Sequence, residues 1–270
     1  MLALILQTIK KSKWSIVGYT LGAALLVWLL VALFPSFSTQ AANFTETLVE
    51  FYPEEFLKAF NIEIGSFLGS IEGFLSGEHY SLMWPLLLII LAISFGGGAL
   101  AGEIDHGTIE VLLSQPISRT KLFLGKYLAG AVIILTFVFA SALSVVPFAE
   151  IYNVDYQLQN HLTLAVLGAC FGFALLGITM MFSSFFSDRG KVTLVSAVLM
   201  LAMYFVNVVA ALKENLADLK YLSFFHYFES NTPLLRNDLE LESVAVFLGV
   251  GLVCTIVGLI WFNRRDIAIS

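Results

Sequence analysis

Six runs of apolar residues, each about twenty long, divide this chain: Trp14 to Phe34, Ser81 to Ala101, Leu122 to Pro147, His161 to Phe186, Val192 to Leu212 and Ser243 to Phe262. About 20 helical residues cross roughly 30 Å of hydrocarbon. Barrel strands would instead alternate in polarity over about ten residues, which these runs do not. The pattern predicts an all-α integral membrane protein with six transmembrane helices in a single domain covering residues 1–270. Pro85 falls in the first turn of the second run, where its missing N–H costs little, and Pro147 reads as the close of the third.

The segments between the runs carry patterns of their own. Leu2, Ile5, Leu6 and Ile9 recur at helical spacing ahead of Lys10, Lys11 and Lys13, which predicts an interfacial helix over 1–13. In the first long connection, 35–80, Phe60, Ile64, Phe67, Leu68, Ile71, Phe74 and Leu75 share an arc of about 120° at 100° per residue. Gly65, Gly69, Gly73 and Gly77 lie opposite. Glu63 and Glu72 make this stretch too polar for a further span, so an amphipathic helix on the outer face is expected. The other long connection, 213–242, concentrates Tyr221, Phe224, Phe225, Tyr227 and Phe228, an aromatic belt at the membrane interface.

The connection 102–121 is short and polar between two apolar runs. Asp105 can cap a short helix that places Ile109, Leu112 and Leu113 on one face, and Pro116 stops it. Such a helix is marginal alone in water and must dock on something. Gly107 frees the backbone ahead of it, and Ser118 can cap the next span.

Composition and charge add sidedness. Apolar residues make up 59% of the 270 and charged residues 13%, against roughly half and a quarter in soluble domains. With the N-terminus in the cytoplasm, ten of the fourteen Lys and Arg fall on the cytoplasmic side and fifteen of the twenty acids on the other. This fits the positive-inside rule with both termini cytoplasmic. The net charge of −6 belongs to the outer face, and no nucleic-acid partner is expected. The first run is too long for the core of a signal peptide and reads as retained. Cys170 and Cys254 lie within spans and read as small packing residues.

Glu103, then Gly107, Thr108, Ile109 and Glu110, then Leu112, Leu113, Pro116 and Arg119, then Gly125 and Lys126, resemble the signature of ABC-2 type transporter permeases. The closing Phe262 to Asp266 is similar to that family's end. Phe224 departs from the pattern, standing where many members have proline. The resemblance implies an exporter permease in a prokaryotic plasma membrane, working as a homo- or heterodimer with a second permease subunit. It also implies that 102–121 is a cytosolic coupling loop seated on a separate ATP-binding cassette ATPase, which would bind ATP and Mg. Glu103, Gly107, Thr108, Ile109, Glu110, Leu112, Leu113, Pro116 and Arg119 are then the coupling residues.

Other signals bear on this. The chain has no phosphate-binding G-x-x-x-x-G-K-[ST] loop, since Gly125-Lys126 is followed by Tyr127 and Gly190-Lys191 by Val192. No cofactor or metal is expected on this chain; Glu103, Asp105, His106 and Glu110 lack a second histidine or a cysteine and read as solvated loop charges. Lys126, near one end of its run, is the only Asp, Glu, Lys or Arg within any span, which argues against ion-coupled transport. Gly18 with Gly22, and Gly168 with Gly172, have the spacing that lets helices approach closely in lipid, within one bundle or between subunits. Two alternatives stand beside the exporter: a membrane anchor that recruits an ATPase without transport, and an ATP-independent channel or carrier. The spans offer only scattered Ser, Thr and Asn207 to a substrate, which leaves a weak preference for apolar or amphiphilic cargo.

Overall fold

The computed structural model describes residues 1–38 and 69–266, and all regular structure among them is helical. In chain order the α-helices are α1 (Leu2–Ser38), α2 (Ile71–Leu75), α3 (Met83–Ala99), α4 (Ala101–Asp105), α5 (Ile109–Leu113), α6 (Arg119–Ala142) and α7 (Val145–Tyr152). They continue with α8 (Leu158–Phe185), α9 (Arg189–Leu212), α10 (Phe224–Tyr227), α11 (Asn231–Arg236) and α12 (Leu241–Arg264). Five stretches are long and apolar enough to cross a membrane, and a sixth crossing forms when residues 71–80 and α3, bent by 46°, count as one broken span.

α8 is the centre of the bundle. Its side chains are buried along most of their length, whereas α1, α9 and α12 show most of theirs to the surroundings. That contrast is what lipid demands of a peripheral helix, since apolar surface needs no protein cover there. Two backbones come close where α8 meets α12: a Cβ on Gly177 would sit 2.5 Å from the Gly251 carbonyl oxygen. Only glycine permits that backbone contact.

Four sequence expectations are revised by the observed helices. The predicted interfacial helix over 1–13 does not separate from the first span; α1 runs 37 residues unbroken. No helix breaker lies between Met1 and Phe34, and Leu4 anchors the first turns by packing against Gly125, where a Cβ would meet its Cδ2 at 2.7 Å. Pro147 does not close the third span. A turn at Leu143–Ser144 interrupts the helix, and Pro147 lies in the first turn of α7, where its missing N–H leaves no helical bond unmade. The actual stop is Asn153, in the left-handed region at φ 52°.

The third revision concerns the outer amphipathic helix. Residues 60–68 lie outside the described residues, and Gly69 is exposed in a turn. Ile71, Phe74 and Leu75 do not rest on a membrane surface: they are buried in the main core. Glu72 goes in with them because its carboxylate accepts a hydrogen bond from the Gln157 N–H (2.6 Å) and stands 3.9 Å from His161. The fourth concerns the aromatic belt. Phe224, Phe225, Tyr227 and Phe228 are buried, and Tyr221 alone of that group is exposed. Phe228 stacks on Trp84 (5.4 Å) and packs on Phe171 (5.0 Å), so the rings plug this end of the bundle. Phe224 takes the first position of α10 behind the capping Ser223, a position that also suits proline.

Candidate functional site

The end of the bundle opposite the aromatic plug gathers the start of α1, the 102–121 connection, the turn before α9 and the last turn of α12. Its organising residue is Glu103 on α4. This carboxylate is 7% exposed and accepts hydrogen bonds from Lys126 on α6 (2.7 Å), Lys11 on α1 (3.5 Å) and the Thr108 hydroxyl. Burial alone would raise the Glu103 pKa. The Lys126 and Thr108 hydrogen bonds and the Lys126 and Lys11 charges outweigh that effect and hold the group below the ordinary carboxylate value. Glu103 is therefore a buried hub and not the solvated loop charge expected from the sequence. Lys126 is buried with it, as a charge within an apolar run must be when it has a partner.

The loop around this hub is built from local backbone chemistry. α3 breaks before α4, and the Ser183 hydroxyl of α8 accepts from the freed N–H groups of Leu100 (3.2 Å) and Ala101 (3.0 Å). Gly107, at φ +68°, turns the chain from α4 into α5, a conformation that costs other residues strain. Asp105 does not cap α5. It ends α4, and its carboxylate accepts at 3.5 Å from the Arg189 N–H. Thr108 holds the cap position, but its side chain is committed to Glu103. α5 is consequently five residues long, shorter than the sequence pattern suggests.

The two faces of α5 divide cleanly. Ile109 is buried, and Leu112 and Leu113 lean on the core, so these three brace the loop from within. Glu110 and Val111 face outward, Val111 being 64% exposed. Pro116 is exposed in the turn that follows. Ser118 caps α6 as expected, accepting from the Lys121 N–H (3.3 Å).

Arg119 ties the loop to the end of α12. Its guanidinium donates to the carbonyls of Phe262 (3.4 Å) and Arg265, and Thr120 donates to Asn263 (3.2 Å). Arg265 in turn donates to the carbonyls of Ser184 and Phe186 (2.9 Å each) and to the Ser187 hydroxyl, closing the end of α8. Through these contacts Glu103 and Arg119 join the loop to α1, α6 and α12.

Sequence reasoning missed Lys11, Val111 and Arg265 as members of this site. For Arg265 the closing motif was a signal; for Lys11 the signal was the acid at Glu103. The glycine pairs separate as well. A Cβ at Gly168 or Gly172 would meet Trp84 (2.5 Å) or Ile134 (2.4 Å), so these two serve packing within the bundle, whereas Gly18 and Gly22 have nothing within 4 Å. Among the described residues no group of three or more His, Cys, Asp and Glu is arranged to hold a metal.

No curated protein matches the sequence. Residues 12–267 match the family described as ABC-2 family transporter protein. With its apolar helical bundle, broken second span and loop built on Glu103, the chain belongs to that family and is the membrane-spanning permease component of an ABC-2 type transporter.

Proposed function

We propose that this permease exports an apolar or amphiphilic substrate across a prokaryotic plasma membrane, powered by a separate ATP-binding cassette ATPase that binds ATP and Mg and docks on the 102–121 loop. The observation that carries the reading is the division of α5. Its inner face is used up in bracing the loop, while Glu110 and Val111 are presented outward at the end that also holds the start of α1, the last turn of α12 and most of the basic residues. The same basic excess supports a cytoplasmic location for that end. A second permease subunit completes the transporter, and the open ridge at Gly18 and Gly22 on α1 is available for close approach by a helix.

The test is co-purification of the ATPase with permease variants and ATP turnover in lipid discs. Val111→Asp, which changes an outward residue and no internal contact, should release the ATPase while the permease stays folded. If Val111→Asp and Glu110→Lys together leave the complex and its turnover unchanged, the loop is not the docking element. Turnover that rises with added substrate separates transport from mere anchoring.

A further inference from the structure

α1 buries Leu4 and Thr8 near its start and Ala23, Val27 and Val31 further on, all along one stripe. Between these anchors the stripe continues through Ser12 and Ser15, which face not a neighbouring helix but a cavity of about 420 Å³ between α1, α3 and α6. A membrane helix whose outer faces carry Trp14, Val17 and Leu21 therefore turns hydroxyls toward its own bundle. These hydroxyls give the cavity a polar wall on its α1 side.

The cavity has two chemically distinct ends. At the loop end its wall carries Lys11, Lys126 and Arg189 against the single carboxylate of Glu103, which Lys126 already neutralises at 2.7 Å. A surplus of two positive charges remains at the mouth. Deeper in, the wall becomes apolar at Leu91, Phe95 and Ile133. Lys126 and Ile133 are two helical turns apart on α6, so the cavity reaches about 10 Å into the membrane half at this end. Gly98 lies between these zones, and a Cβ there would have nothing within 4 Å.

The geometry points to a binding site for an anionic amphiphile, with its phosphate or carboxylate head among Lys11, Lys126 and Arg189 and its hydrocarbon against Phe95, Leu91 and Ile133. The source is the membrane leaflet at this end, because a soluble anion would leave the apolar end empty. The site is independent of the docking proposal, since the outward residues Glu110 and Val111 do not line it.

The full-length permease, without ATPase, is reconstituted in phosphatidylcholine discs containing trace phosphatidylglycerol with a photoactivatable acyl chain, and the labelled peptides are mapped. Labelling should concentrate on the Leu91–Phe95 and Ile133 peptides. It should disappear in Gly98→Leu, which adds a side chain where a Cβ meets nothing within 4 Å, and fall about fivefold in each of Lys11→Gln and Arg189→Gln. The same probe on phosphatidylcholine should label only lipid-facing peptides. Equal labelling by both headgroups, or labelling indifferent to Gly98→Leu, overturns the site. Displacement of the probe by inorganic phosphate alone would overturn its lipid source.

Discussion

At one end of the bundle Glu103 draws donors from α1, α6 and the loop; at the other, Trp84 lies between Phe137 (5.8 Å) and Phe228 (5.4 Å), with its indole N–H on Ser141 (2.8 Å). The aromatic end adds a buried hydroxyl chain, in which Ser230 and Ser76 are 2.7 Å apart and Ser76 donates to Asn231 at 2.7 Å. Contacts of the first kind that reach the surface, as that of Lys11 does, can be exchanged for water or a partner's groups at small net cost, although the buried Glu103–Lys126 pair at their centre cannot. Stacked rings in a core forfeit area and dispersion as soon as they part. The contrast assigns the easily rearranged chemistry to the end that carries the proposed ATPase contact and the resistant chemistry to the opposite end.

The largest expected effect lies in the resistant end. Trp84→Ala should lower stability by about 4 kcal/mol through the cavity it leaves, measured by thermal unfolding in detergent. A loss below 1 kcal/mol would mean that the rings do not hold that end. Glu103→Ala should cost about 3 kcal/mol by leaving Lys126 buried and unpaired, and adding Lys126→Met should recover most of it. A double variant no better than the single one would show that Glu103 acts through something other than this pair.

That second prediction bears on what the chain made legible. Six spans could be read from apolar run length alone, because lipid imposes that length on any helix that crosses it. The motif drew Glu103 and Arg119 into one candidate site. Burial of Glu103 could not be read, since it depends on Lys11 and Lys126 arriving from helices distant in sequence. The turn at Leu143–Ser144 was likewise hidden behind Pro147, which marks a helix start and end with the same letter. The aromatic cluster at Phe224 to Phe228 misled for a related reason: a belt and a plug have one composition and differ only in which way the chain folds back.

Smaller effects sharpen the comparison. Leu112→Ala should cost about 2 kcal/mol and act on the loop, visible as faster proteolysis near Gln115 with the spans intact. Protection unchanged from wild type would place Leu112 outside the brace. Acid should act on the same end. Because the Glu103 carboxyl is held below its ordinary value, its contribution is complete above the ordinary carboxylate range and is lost as pH falls through the depressed value. The stability difference between wild type and Glu103→Ala should shrink over that window, while the Trp84→Ala difference stays constant. Gly107→Ala should cost about 1 kcal/mol from the left-handed backbone alone, and an unaltered loop would show that the turn has another conformation within reach.

α1 spans 37 residues without a break, about 55 Å of continuous helix. No proline lies between Lys11 and Phe34 to serve as a hinge, so a shift imposed on Lys11 reappears as a swing at Phe34, just ahead of Pro35, on the opposite membrane surface. Spin labels at Gln7 and Leu33 should therefore keep one separation in every state of the transport cycle, while the distance from either label to α8 changes. Through α1 the two chemically unlike ends share a single mechanical coordinate: the hub at Glu103 grips the handle of a lever whose far arm lies beside the buried Phe74.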